Sequence, residues 1–142
     1  MTREEVGQVE RELGVQLPQD YRDVLLGSDD LRALTHVLGD RVYPVFQDSL
    51  YLEPDELIFV NRCERNSDAA TEYVFPGWWK EYILIGSNGA GDYFCVCVDG
   101  RPGVWFLCNA SGKVHHCYGT VHEYVLMRLE QYYIEQAGGS QN

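Results

Sequence analysis

The sequence predicts an α+β fold: a single antiparallel sheet, with a mixed arrangement left open, against which an N-terminal helical pair and a C-terminal helix pack. Three observations carry this. Apolar residues recur at helical spacing near both ends of the chain. Four β-forming runs lie between residues 82 and 118, separated by gaps rich in Gly, Asn and Asp. The 142 residues contain no repeat, linker or low-complexity tract, so a single domain over 1–142 is expected, with 137–142 as a loose tail. A chain of this length buries roughly two-thirds of its unfolded surface, enough for a core without staples.

The elements follow in chain order. Thr2 and Glu5 form a capping box, Val6, Val9 and Leu13 share a helical face, and Gly14 stops the helix; a helix over about 3–13 is predicted. Pro18 suits the first turn of a second helix that buries Tyr21, Val24 and Leu25 and ends at Gly27. Residues 31–38 form a short helix or an irregular cover. Pro44 makes 41–46 an edge strand. Pro54 opens a third helix, with Asp55 and Glu56 at its positive end and Arg62 and Arg65 near its negative end. Residues 66–78 form a loop or a strand followed by a turn. Strands are predicted at 82–87, 91–98, 104–109 and 113–118. The run YFCVCV is apolar on both faces, which places it centrally, covered on both sides. A second capping box, Thr120 and Glu123, opens the closing helix.

The stretch SNGAG resembles a phosphate loop only in its glycine content. A phosphate loop must feed a helix, whose N-terminal amides hold the anion. Here the glycines feed a strand, and the Lys and Ser/Thr of a P-loop are missing. Residues 87–91 are therefore read as a hairpin corner, and DGRPG at 99–103 as the next one.

Net charge is −11, and the isoelectric point is near 4.6. Such a chain is a poor match to nucleic acid, whose phosphates must be met by Lys and Arg. Residues 29–72 hold ten acidic and four basic side chains, more than half of the net charge in under a third of the chain. No apolar run approaches the roughly 18 residues that span a bilayer. The opening MTREEVGQVERELG lacks the basic and apolar regions of a secretory signal. A cytoplasmic protein with five reduced cysteines is expected.

No catalytic or metal-binding set is read from the residues. With DGRPG as the turn, Val98 faces Val104 and Cys95 faces Leu107, so Cys108 points away from Cys95 and Cys97 and the three do not converge on zinc. Cys117 and His115 share a strand face but lie about 7 Å apart, too far for a nucleophile–base pair. The many carboxylates form no motif. No enzyme and no cofactor are expected.

The arrangement L-x-x-D-Y-x-x-x-L after an acidic first helix, a glycine-rich turn leading to Gly-Asp-aromatic and a strand, an Asp-Gly turn, an aromatic strand and a final amphipathic helix resembles the SUKH superfamily. The matching stretches are ELGVQLPQDYRDVLL (12–26), ILIGSNGAGDYFCVCVDGRPGVWFL (83–107) and the helix from Thr120. The chain departs from the family at 27–30, where GSDD replaces an Asn-Gly-type turn, and matches poorly over 31–72. That family includes bacterial immunity proteins against toxins and fungal regulators of cell-wall synthesis. The resemblance implies a non-enzymatic binding protein. The first expectation is an immunity protein, monomeric or weakly dimeric, that blocks a cognate toxin with a basic surface, such as a nuclease, by stoichiometric occlusion. The alternative is a regulatory or scaffolding domain of the same fold with no toxin partner. Candidate partner-binding residues are Asp29, Asp30, Asp48, Tyr51, Asp55, Glu56, Trp78 and Trp79, as charged or aromatic anchors. Neither nucleic acid nor membrane is an expected partner.

Overall fold

The computed structural model describes residues 1–27, 49–51, 53–66, 78–87, 91–108 and 111–139. The elements expected at 31–38, 41–46 and 67–77 lie outside these residues. Helix α1 spans Arg3–Leu13 and buries Val6, Val9 and Leu13. Its capping box forms as read: the Thr2 hydroxyl accepts from the Glu5 N–H at 3.1 Å, and the Glu5 carboxylate accepts from the Thr2 N–H at 2.9 Å. Gly14 ends the helix at φ 66°, a conformation that disfavours other residues. Helix α2 spans Gln19–Gly27. Pro18 sits just before it, its carbonyl accepting from the Arg22 N–H. Helix α3 spans Pro54–Asn66, with the Glu53 carbonyl closing its first turn.

Among the described residues, five strands follow the order β1 (Ser49–Leu50), β2 (Tyr82–Ser87), β3 (Tyr93–Cys97), β4 (Val104–Cys108) and β5 (Lys113–Tyr118), every neighbour antiparallel. The glycine-rich stretch after β2 thus joins two antiparallel strands and feeds no helix. Central β3 is closed off on both faces: Cys95, Val96 and Cys97 each have 0% exposure. The β3–β4 register differs from the expected one. Cys95 pairs with Trp105 and Phe94 with Phe106, two residues from the predicted alignment. The turn is longer than a minimal hairpin, with Gly100 and Gly103 at φ 92° and 111°. A two-residue slip keeps every side chain on its face. Cys108 therefore still lies on the face opposite Cys95.

Helix α4 spans Val121–Gly139. It continues through Gly138 and Gly139, into the stretch 137–142 expected as a tail. Thr120 Oγ1 accepts from the Glu123 N–H at 3.1 Å, but the Glu123 carboxylate reaches back to the Gly119 N–H. Tyr124, fully buried, places α4 on the sheet through ring contacts with Phe94 and Tyr118 at 5.0 and 5.4 Å. Helix α3 packs on β2, α1 on α3, and α2 on α4.

Two side chains bind these layers together. Asn61 of α3 is fully buried. Its amide donates to the Leu57 and Leu84 carbonyls, both at 2.9 Å, and its carbonyl accepts from the Leu84 N–H at 2.8 Å. On that flank of β2 the last β1-side bond is Tyr51 N–H to the Ile85 carbonyl. The carboxamide thus satisfies Leu84 where the neighbouring strand has ended. Asp20, at the start of α2, accepts through Oδ2 from the Gly103 N–H at 2.9 Å and the Val121 N–H at 3.0 Å. One carboxylate joins α2, the β3–β4 turn and the N-terminus of α4, where helix amides favour an anion. Gly103 admits no side chain: a Cβ there would lie 2.5 Å from the Tyr118 carbonyl oxygen.

Replacing Asn61 by Ala strands two buried backbone groups at about 1–3 kcal/mol each. Urea unfolding of Asn61→Ala is therefore expected to show a loss of about 3 kcal/mol. A change below about 1 kcal/mol would mean that the carboxamide does not hold β2. Gly103→Ala is expected to cost about 2 kcal/mol or more, through backbone strain and overpacking.

Candidate interaction surface

The eight predicted contact residues do not form one patch. Asp29, Asp30 and Asp48, and the side chain of Trp79, lie outside the described residues. Two of the aromatic anchors are corrected by the structure. Trp78 is 1% exposed and Tyr51 7% exposed, so both belong to the core. Trp78 opens a 3-10 turn, Trp78–Lys80, that leads into β2. Tyr51 follows β1 and is anchored through its backbone to Ile85, with its hydroxyl hydrogen-bonded to Ser87. Burial pushes its phenol up to about 12. Asp55 and Glu56 are exposed in the first turn of α3.

The sequence reading missed Phe59, which is 67% exposed. Helix α3 turns Leu57, Ile58 and Asn61 inward. Phe59 lies on the opposite side, and its helical neighbours at i−4, i−3, i+3 and i+4 are Asp55, Glu56, Arg62 and Cys63, all exposed. Counting 100° steps from the Leu57–Asn61 stripe would have found it; the apolar run LIFV hid it as core.

The cations of α3 serve the fold. Arg62 pairs with Glu12 and donates to the Glu12 carbonyl. Arg65 donates to the Leu13 carbonyl at 3.2 Å, and burial lowers its pKa. Both therefore tie α3 to α1. Among the described residues, Glu53, Asp55 and Glu56 have no ion-pair partner. Partial burial, then the neighbouring Glu53, raise the Glu56 carboxyl above its usual range. A second outward face is apolar: Leu126, Met127 and Ile134 on α4 are 40%, 48% and 64% exposed.

The thiols are dispersed. Cys95 is buried, and desolvation raises its thiol well above the ordinary value. Burial pushes Cys97 up to about 11, and Arg101 donates to its sulfur at 3.3 Å. On β5, Trp105 pairs with His116 and Val104 with Tyr118, leaving Cys117 as the extra residue of a bulge. Its thiol donates to the His115 carbonyl, 3.5 Å away, and burial raises its pKa as well. His116 stacks on Trp105 at 4.5 Å, and Arg101 lies over the same indole at 5.2 Å. Among the described residues, no helix is long and apolar enough to cross a membrane.

The chain belongs to the SMI1 / KNR4 family (SUKH-1), whose family model matches residues 1–127. No curated protein and no solved structure matches it.

The raised thiol and phenol groups set the response to alkali. Cys97 and Tyr51 have folded-state values of about 11 and 12, above their ordinary 9.0 and 10.0. Each is harder to ionise folded than unfolded, so its stabilisation is complete below pH about 9 to 10 and is lost as pH climbs through 11 and 12. Thermal unfolding from pH 7 to 12 is expected to show a flat plateau and then a fall above pH about 9. With a thiol reagent at pH 8, Cys63 should react first, and Cys95 and Cys97 only on unfolding; early labelling of Cys97 would contradict its assignment to the core.

Proposed function

We propose that this SUKH-1 domain is a non-enzymatic binding protein that neutralises a cognate toxin by stoichiometric occlusion. The observation that carries the reading is the charge: −11 over 142 residues, with the carboxylates of the first turn of α3 facing outward and no ion-pair partner for them among the described residues. A toxin that acts on nucleic acid needs a basic cleft for its substrate. An acidic protein can fill that cleft by imitating the substrate's charge, and the same field accelerates encounter. Family membership supports an interaction role. The thiols are dispersed, and burial raises those of Cys95, Cys97 and Cys117 away from the thiolate form, which fits binding better than covalent chemistry.

The test is co-expression with the product of the adjacent gene, followed by purification and an assay of that product's toxicity. A one-to-one complex with toxicity abolished is expected, its affinity falling steeply as salt rises from 50 to 500 mM (about tenfold or more). A neighbour that still acts on its target when fully complexed would rule out occlusion. An adjacent product that is harmless and does not bind would favour the regulatory role known in the same family.

A further inference from the structure

We propose that the outward face of α3, with Phe59 at its centre and Glu53, Asp55 and Glu56 at its N-terminal rim, docks a protein partner through a segment whose apolar side chains are bordered by Lys or Arg. This deepens the binding role proposed above and rests on it.

Three features of α3 converge. Its core stripe, Leu57, Ile58 and Asn61, is complete without Phe59, which at 67% exposure adds little to folding. An isolated exposed apolar residue is ordinary, but three of this one's four neighbours one helical turn away, Asp55, Glu56 and Arg62, are charged. That is the layout of an interface hot spot: an aromatic anchor inside a polar rim. The second feature is the direction of the cations. Arg62 is engaged by Glu12 and Arg65 by the Leu13 carbonyl, so the carboxylates are not balanced from their own helix. The third is crowding, since partial burial and Glu53 together disfavour the charged form of Glu56. A basic rim on the partner relieves that repulsion, while a second copy of this acidic face would add to it. The apolar stripe of α4 offers no comparable charge argument and is assigned no occupant.

The probe is a random peptide library displayed on phage, selected against the full chain at low salt, with chosen peptides measured by fluorescence anisotropy. Recovered peptides are expected to combine Lys or Arg with an aromatic or aliphatic residue. Phe59→Ala should weaken them about tenfold or more. The double variant Asp55→Asn, Glu56→Gln should weaken them severalfold and flatten their salt dependence. Ile134→Ala on α4 should leave them unchanged. All these positions are exposed, and unchanged thermal unfolding would confirm that the variants remain folded. The surface is overturned if no such peptides emerge, if binding ignores Phe59→Ala, or if Phe59→Ala instead abolishes self-association of the chain. The two readings fail separately. Peptides that depend on Phe59, beside an adjacent-gene product that does not bind, would sink the immunity role and keep the surface. Toxin neutralisation that survives Phe59→Ala would do the reverse.

Discussion

Much of this structure depends on how one backbone residue finds its hydrogen bonds. Leu84 lies in β2, 1% exposed, and its N–H and C=O need partners away from water. On that flank of β2, strand β1 is only two residues long. Asn61 supplies both bonds from α3 and adds a third to its own helix at Leu57. A carboxamide is a peptide group on a side chain, so it can stand in for a neighbouring strand. The cost of leaving those groups bare fixes the depth and rotation of α3 against the sheet. With α3 fixed, its inward stripe must meet β2, and the opposite side must face solvent. The outward position of Phe59 and the acidic rim thus follows from a requirement of the core.

Asp20 plays the corresponding part at the other end of the molecule. It also accounts physically for the L-x-x-D-Y pattern in this chain. One carboxylate oxygen, Oδ2, accepts from two backbone N–H groups, and Tyr21 beside it is buried at 2% exposure. The pattern marks how the helical pair is attached to the meander. It is not an exposed contact site.

The legible parts of the sequence were those governed by local chemistry. Thr2 with Glu5, Gly14, Pro54 and Thr120 mark helix ends because capping involves residues three or four apart. Strands β2 and β5 were readable to the residue, since each is flanked by turn formers. Pairing was harder. The two-residue difference between β3 and β4 depends on how the chain turns through Gly100 and Gly103, and a strand pattern of period two cannot distinguish such slips. The contact residues were least legible. An aromatic beside a helix or strand has the same letter in a core as on a surface, so the sequence leaves Trp78 and Tyr51 open between core and contact, and burial assigns both to the core. Phe59 was overlooked for the converse reason. Asn61 gave no signal either, because its partner is 23 residues away.

The order of the sheet also bears on how the chain reaches this state. Strands β3 to β5 pair each with its predecessor in the chain, so the meander from β2 to β5 assembles by closing short loops. The bonds from Asp20 to Gly103 and Val121 span 83 and 101 residues. Closing loops of that size costs the most chain entropy, and it brings little return until the meander offers a surface to close upon. The helical pair that begins the chain is thus the part whose docking waits on the other end. During synthesis, the Gly103 and Val121 amides that Asp20 holds are made long after α1 and α2.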